Sequence, residues 1–84
     1  MLKIMGVVAL LALAGCTADV MKGWVGHSET ELLASWGAPD KTAQSGGKKF
    51  HTWDGRNGAG QIICTRTFVI DASGFVQSFS TNCP

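Results

Sequence analysis

Residues 61–83 read QIICTRTFVIDASGFVQSFSTNC, and the fold turns on this stretch. Positions 61–70 are dense in β-branched and aromatic side chains, which suit a pleated, half-buried strand. Asp71, Ala72, Ser73 and Gly74 form a turn signal, and positions 75–83 return as the partner strand. With Ile70 set opposite Phe75, the even positions Ile62, Cys64, Phe68 and Ile70 share a face with the odd positions Phe75, Phe79 and Cys83. In that register Thr81 lies opposite Cys64, and Cys83 is the diagonal neighbour. A bulge or slight fraying is then needed to join the two sulfurs.

Upstream, positions 54–60 (DGRNGAG) hold three glycines and no apolar period, so they read as a loop. Before it comes a polar hairpin. Thr42, Ala43 and Gln44 begin one strand, Ser45, Gly46 and Gly47 turn it, and positions 48–53 return. Phe50 and Thr52 fall on one face, with Lys49, His51 and Trp53 on the other. Further back, Ser28-Glu29-Thr30-Glu31 is a capping box, in which the Ser28 hydroxyl and the Glu31 carboxylate satisfy each other's backbone amides. Leu32, Leu33 and Trp36 give an apolar stripe, Gly37 fits a left-handed C-terminal cap, and Pro39 prevents continuation. The pattern predicts a short helix from Glu29 to Trp36. The fold class is therefore α+β, one short helix packed on a three- to four-stranded antiparallel meander spanning residues 26–84.

The first residues have a different character. Lys3 supplies a positive n-region, and positions 4–14 form an almost purely apolar h-region. This run falls short of the roughly 20 apolar residues that span a bilayer. It ends in Leu13-Ala14-Gly15-Cys16, which is similar to the lipobox of bacterial lipoproteins. Residues 1–15 thus read as a cleaved signal peptide, and Cys16 as the site of a diacylglycerol thioether followed by acylation of the new α-amine. Two or three acyl chains, at about 0.8 kcal/mol per buried CH₂, hold a protein firmly where one chain does not. Thr17 and Ala18 follow the cysteine in place of an acidic residue, which points to the outer membrane, periplasmic face. Residues 16–25 read as a lipidated tether carrying one bulky residue, Trp24.

Lipidation of Cys16 leaves Cys64 and Cys83 as an even pair in an oxidising compartment, where a disulfide is favoured. The roughly 69 residues expected to remain after cleavage offer only a thin core. Closing a loop of about 20 residues contributes on the order of 3 kcal/mol in the chain-entropy model. A metal site built from these thiols with His27 and His51 lacks the usual ligand spacings. The formal net charge of +1, with scattered basic groups, argues against nucleic acid.

No catalytic or cofactor constellation emerges. Ser28 is accounted for as a helix cap, and the two histidines read as surface or cap-packing residues. The run from Gly55 to Gly60 lacks the G-K-[ST] ending of a phosphate loop. The candidates for meeting a partner are Arg56, on the glycine-rich loop, and the indoles of Trp36 and Trp53.

Taken in order, the lipobox at Cys16, Gly26-His27-Ser28 opening a helix, Leu32-Leu33, Trp36-Gly37-Ala38-Pro39-Asp40, Trp53 ending a strand and a hairpin with Gly74 resemble the BamE (SmpA/OmlA-type) lipoproteins. The resemblance covers residues 26–79. It implies a helix followed by a three-stranded antiparallel sheet, and a non-enzymatic accessory of outer-membrane protein assembly or a structural relative of one. The family commonly has two helices before the sheet, whereas positions 20–25 read as too short and glycine-broken for a second. The alternative is a periplasmic inhibitor or ligand-binding lipoprotein. Either way the expected partners are membrane lipid, through Cys16, and an envelope protein.

Overall fold

A computed structural model describes residues 17–84. The signal peptide at 1–15 and the lipidated Cys16 lie outside the described residues. Two short helices, α1 (Thr17–Lys22) and α2 (Glu29–Trp36), precede four strands. These are β1 (Lys41–Ser45), β2 (Lys48–Arg56), β3 (Ile62–Ile70) and β4 (Val76–Thr81). The strands form one antiparallel sheet in the order β1-β2-β3-β4. The α+β class stands, with a four-stranded meander and one helix more than expected.

The additional helix corrects the tether reading of residues 16–25. Asp19 in its first turn and Lys22 in its last suit the helix dipole, but six residues do not hold a helix by propensity alone. Tertiary burial supplies the rest. Met21 is fully buried against Leu32, Trp53, Phe68, Ile70 and Val76. A Leu- or Met-sized side chain so buried contributes about 1.5–3 kcal/mol relative to exposure.

Helix α2 starts as its sequence dictates. The Glu31 amide donates to Ser28 Oγ at 3.1 Å, and the Ser28 amide donates to Glu31 Oε1 at 3.0 Å. At its other end the Gly37 amide donates to the Leu33 carbonyl at 2.8 Å, with Gly37 at φ +80°. The β1–β2 turn is equally local: Gly46 and Gly47 both have positive φ, and Ser45 pairs with Lys48. Such a two-residue turn matches the twist of its strands.

Helices and core side chains lie on one face of the sheet, the face of His51 and Trp53 in β2 and of Cys64, Phe68 and Ile70 in β3. On β4 the expected facing holds for Phe79 and Cys83 and is corrected at Phe75. Ile70 pairs with Val76, which is 2% exposed, while Phe75 is 46% exposed. The cause lies upstream in the chain. Gly26 and His27 exchange backbone hydrogen bonds with Val76, and the Glu29 amide donates to the Gly74 carbonyl, so this segment sets where β4 begins. A register shift follows between Val69 and Ile70, with Gln77 the additional residue. From Val69–Ser78 onward the pairing carries Arg66 to Thr81, which sets Cys83 level with Cys64. The two cysteines are disulfide-bonded, with Cα atoms 5.0 Å apart.

The loop reading of positions 54–60 is corrected too. Asp54, Gly55 and Arg56 belong to β2, and the connection to β3 is residues 57–61. Gly55 pairs with Cys64. A Cβ on Gly55 would sit 2.5 Å from Cys64 Sγ and 3.2 Å from Cys83 Sγ, so this glycine gives the disulfide its room.

Candidate functional site

The end of the sheet that holds the disulfide gathers several features. Thr17 Oγ1 donates to the Pro84 carbonyl at 2.8 Å, placing the start of α1 beside the residue that follows the disulfide-bonded Cys83. One step in from the disulfide, Trp53 of β2 and Arg66 of β3 are directly paired on the helix-covered face. Trp36, the last residue of α2, meets both. Its ring lies 5.3 Å from that of Trp53 and 5.0 Å from Phe68, edge-to-face in each case. The Arg66 guanidinium carbon stands 5.8 Å from the Trp36 ring centre, within cation–π range.

These residues border a cavity of about 450 Å³ lined by Thr17, Val20, Ser35, Trp36, Trp53 and Arg66. Its polar groups are unevenly served. Arg66 Nη2 donates to the Asp54 carbonyl at 2.9 Å. Arg66 Nε and Trp53 Nε1 are buried with no hydrogen-bond partner among the described residues. An unmet buried donor costs on the order of 1–3 kcal/mol, so two on adjacent paired residues mark the spot where this fold is least self-sufficient. The cavity can accept a ligand that brings hydrogen-bond acceptors and an apolar surface.

Trp36 and Trp53, both named from the sequence, are thus brought together; Arg56 is elsewhere. Its Nη1 donates to the Gly60 carbonyl at 2.8 Å and its Nη2 to Asp54 Oδ2 at 3.4 Å, so it braces the 57–61 connection against β2. Sequence reasoning missed Arg66. The signal was parity: Arg66 is the one charge in the even row Cys64–Arg66–Phe68–Ile70, a row that otherwise faces the core.

His51 is a second correction, because it is buried at 5% exposure. Its Nε2 lies 2.7 Å from Glu29 Oε2 and its Nδ1 lies 2.9 Å from Thr42 Oγ1. Lys49 Nζ also donates to both Glu29 oxygens, at 3.1 and 3.3 Å. Hydroxyl, imidazole and carboxylate stand in series, an order that can activate a nucleophile. These contacts, with Glu29 shared between His51 and Lys49, tie α2 to β1 and β2.

The tie has an acid-side signature. The hydrogen bond from His51, then that from Lys49 and its charge, hold the Glu29 carboxyl below its ordinary value of 4.5, against the opposing effect of burial. A carboxyl with a lowered folded pKa adds stability that is complete above the unfolded value and is lost as pH falls through the folded one. Urea unfolding between about pH 3 and pH 6 should therefore show stability falling below about 4.5. Glu29→Gln should flatten part of that fall, the remainder coming from Glu31, whose carboxyl is lowered chiefly by the Ser28 amide. An identical acid limb in the variant would show that the tie contributes nothing.

Compared with protein-family models, curated proteins and solved structures, the chain matches none.

Proposed function

We propose that this chain is a non-enzymatic, lipid-anchored envelope protein that acts by binding, held by Cys16 at the periplasmic face of the outer membrane. The observation that carries the reading is the position of Thr17. The residue next to the lipobox cysteine is already in helix α1, hydrogen-bonded to Pro84 and lining the aromatic cavity. Acyl chains on Cys16 would therefore hold the folded body directly at the bilayer, with the short apolar run before Cys16 supplying export. Two helices preceding an antiparallel sheet also support the BamE-type resemblance, and with it a role as an accessory of outer-membrane protein assembly. The second reading, a periplasmic inhibitor or ligand-binding lipoprotein, is favoured by the cavity between Trp36, Trp53 and Arg66.

The test uses the whole chain expressed in a Gram-negative host. Wild type should incorporate labelled palmitate and sediment with membranes, and Cys16→Ser should do neither. Equal labelling of the two proteins would remove the anchor. Pull-down from solubilised envelopes then separates the two roles, recovery of the β-barrel assembly complex supporting the first and recovery of a hydrolase the second.

A further inference from the structure

We propose that the cavity between Trp36, Trp53 and Arg66 is a binding site for a small monocarboxylate with an aromatic or branched aliphatic body. It deepens the binding role above but does not depend on the lipid anchor, whose failure would show in palmitate labelling and not here. The donors set the polar end of the ligand. An indole Nε1–H and a guanidinium Nε–H can only donate, and these two, from directly opposed positions of β2 and β3, are both buried and unpartnered among the described residues. Whatever meets them must present acceptors. The bond from Arg66 Nη2 to the Asp54 carbonyl holds the guanidinium in place, leaving the Nε edge for the ligand.

Charge narrows the class. Arg66 is the single cation among the six lining residues, and none of them is acidic. One carboxylate balances one guanidinium, with a planar match that Arg favours. A phosphate monoester carries about 1.5 to 2 negative charges at neutral pH and would leave charge unbalanced against indole. The rest of the lining selects the body: the Trp36 and Trp53 rings and the half-exposed Val20 are apolar, and Thr17 and Ser35 add hydroxyls. A cavity of about 450 Å³ suits a single-ring acid. Both donors are shielded from water as packed, so binding requires the partly buried Trp36 ring, at the very end of α2, to give way.

The probe is phenylacetate, added to the ¹⁵N-labelled full-length chain in neutral detergent and followed through the indole N–H resonances of the three tryptophans. Phenylacetate should move the Trp53 and Trp36 signals with an affinity on the order of millimolar, as a fragment of this size allows, and leave Trp24 unmoved. Phenylacetamide, of the same shape without the charge, should bind at least about tenfold more weakly. Arg66→Lys, which keeps the charge but loses the Nε donor, and Trp53→Phe, which keeps the wall but loses the indole donor, should each weaken phenylacetate by about tenfold. The amide comparison needs no variant, so a misfolded Arg66→Lys protein leaves the test intact. Equal affinity for acid and amide overturns the proposal, as does no shift of Trp53 at tens of millimolar. A stronger response to phenyl phosphate, or to micelles doped with anionic phospholipid, also overturns it by assigning the site to another class of anion.

Discussion

Gly55→Ala is expected to destabilise the protein by about 1–3 kcal/mol, the usual cost of forcing extra atoms into a filled space. Elsewhere in a strand the same change gains stability, because glycine loses more backbone freedom on folding than alanine does. Here the new methyl would sit 2.5 Å from Cys64 Sγ, and that sulfur cannot swing away because it is bonded to Cys83. The proof is a double-mutant cycle in urea. Cys64→Ala with Cys83→Ala should itself cost about 3 kcal/mol through the greater freedom of an unfolded chain that is no longer cross-linked. In that background Gly55→Ala should become neutral or stabilising, because the obstructing sulfurs are gone. An unchanged penalty in both backgrounds would mean that the glycine serves some other purpose.

The larger effect belongs to Phe68→Ala, for which about 3–5 kcal/mol is expected. Phe68 is fully buried on β3, pairs with Phe79 across the sheet and meets the rings of both Trp36 and Trp53. Its removal opens space that those rings cannot close without leaving their edge-to-face packing. A domain this small has only about 5 kcal/mol in hand, so the variant should be largely unfolded at 37 °C and collapse the tryptophan emission to that of solvated indole. A loss below about 1 kcal/mol would place the core elsewhere.

What could be read from the sequence was what is settled within a few residues. The Ser28–Glu31 box, the Gly37 stop, the Gly46–Gly47 hairpin and the Asp71–Gly74 turn each carry their reason in their own side chains. What could not be read was set by distant partners. Phe75 and Val76 are equally good core residues; the choice between them is made by Gly26 and His27, about fifty positions earlier, through backbone bonds that sequence does not display. Gly55 reads as a loop because the meaning of a glycine depends on what lies over it. Helix α1 escaped notice because Met21 holds it from outside. In the candidate site, Trp36 and Trp53 announced themselves by size. Arg66 did not, because a charge in an apolar row is easily taken for noise in the pattern.

The bond between Thr17 and Pro84 gathers both ends of the described chain at one pole of the sheet, with the disulfide and the exposed Ile62 and Ile63. Strand β3, nine residues long, rises away from that pole by about 30 Å at roughly 3.3 Å per residue. Were Cys16 seated in a bilayer, as we propose, that pole would be the foot of the molecule and the sheet would rise from the membrane. The Gly46–Gly47 and Asp71–Gly74 turns and the Glu29–Lys49–His51 tie lie at the opposite pole. The Trp36–Trp53–Arg66 cavity lies near the foot, only about 7 Å above the level of the disulfide. In that orientation the membrane would keep a bulky macromolecule from it and admit a small solute.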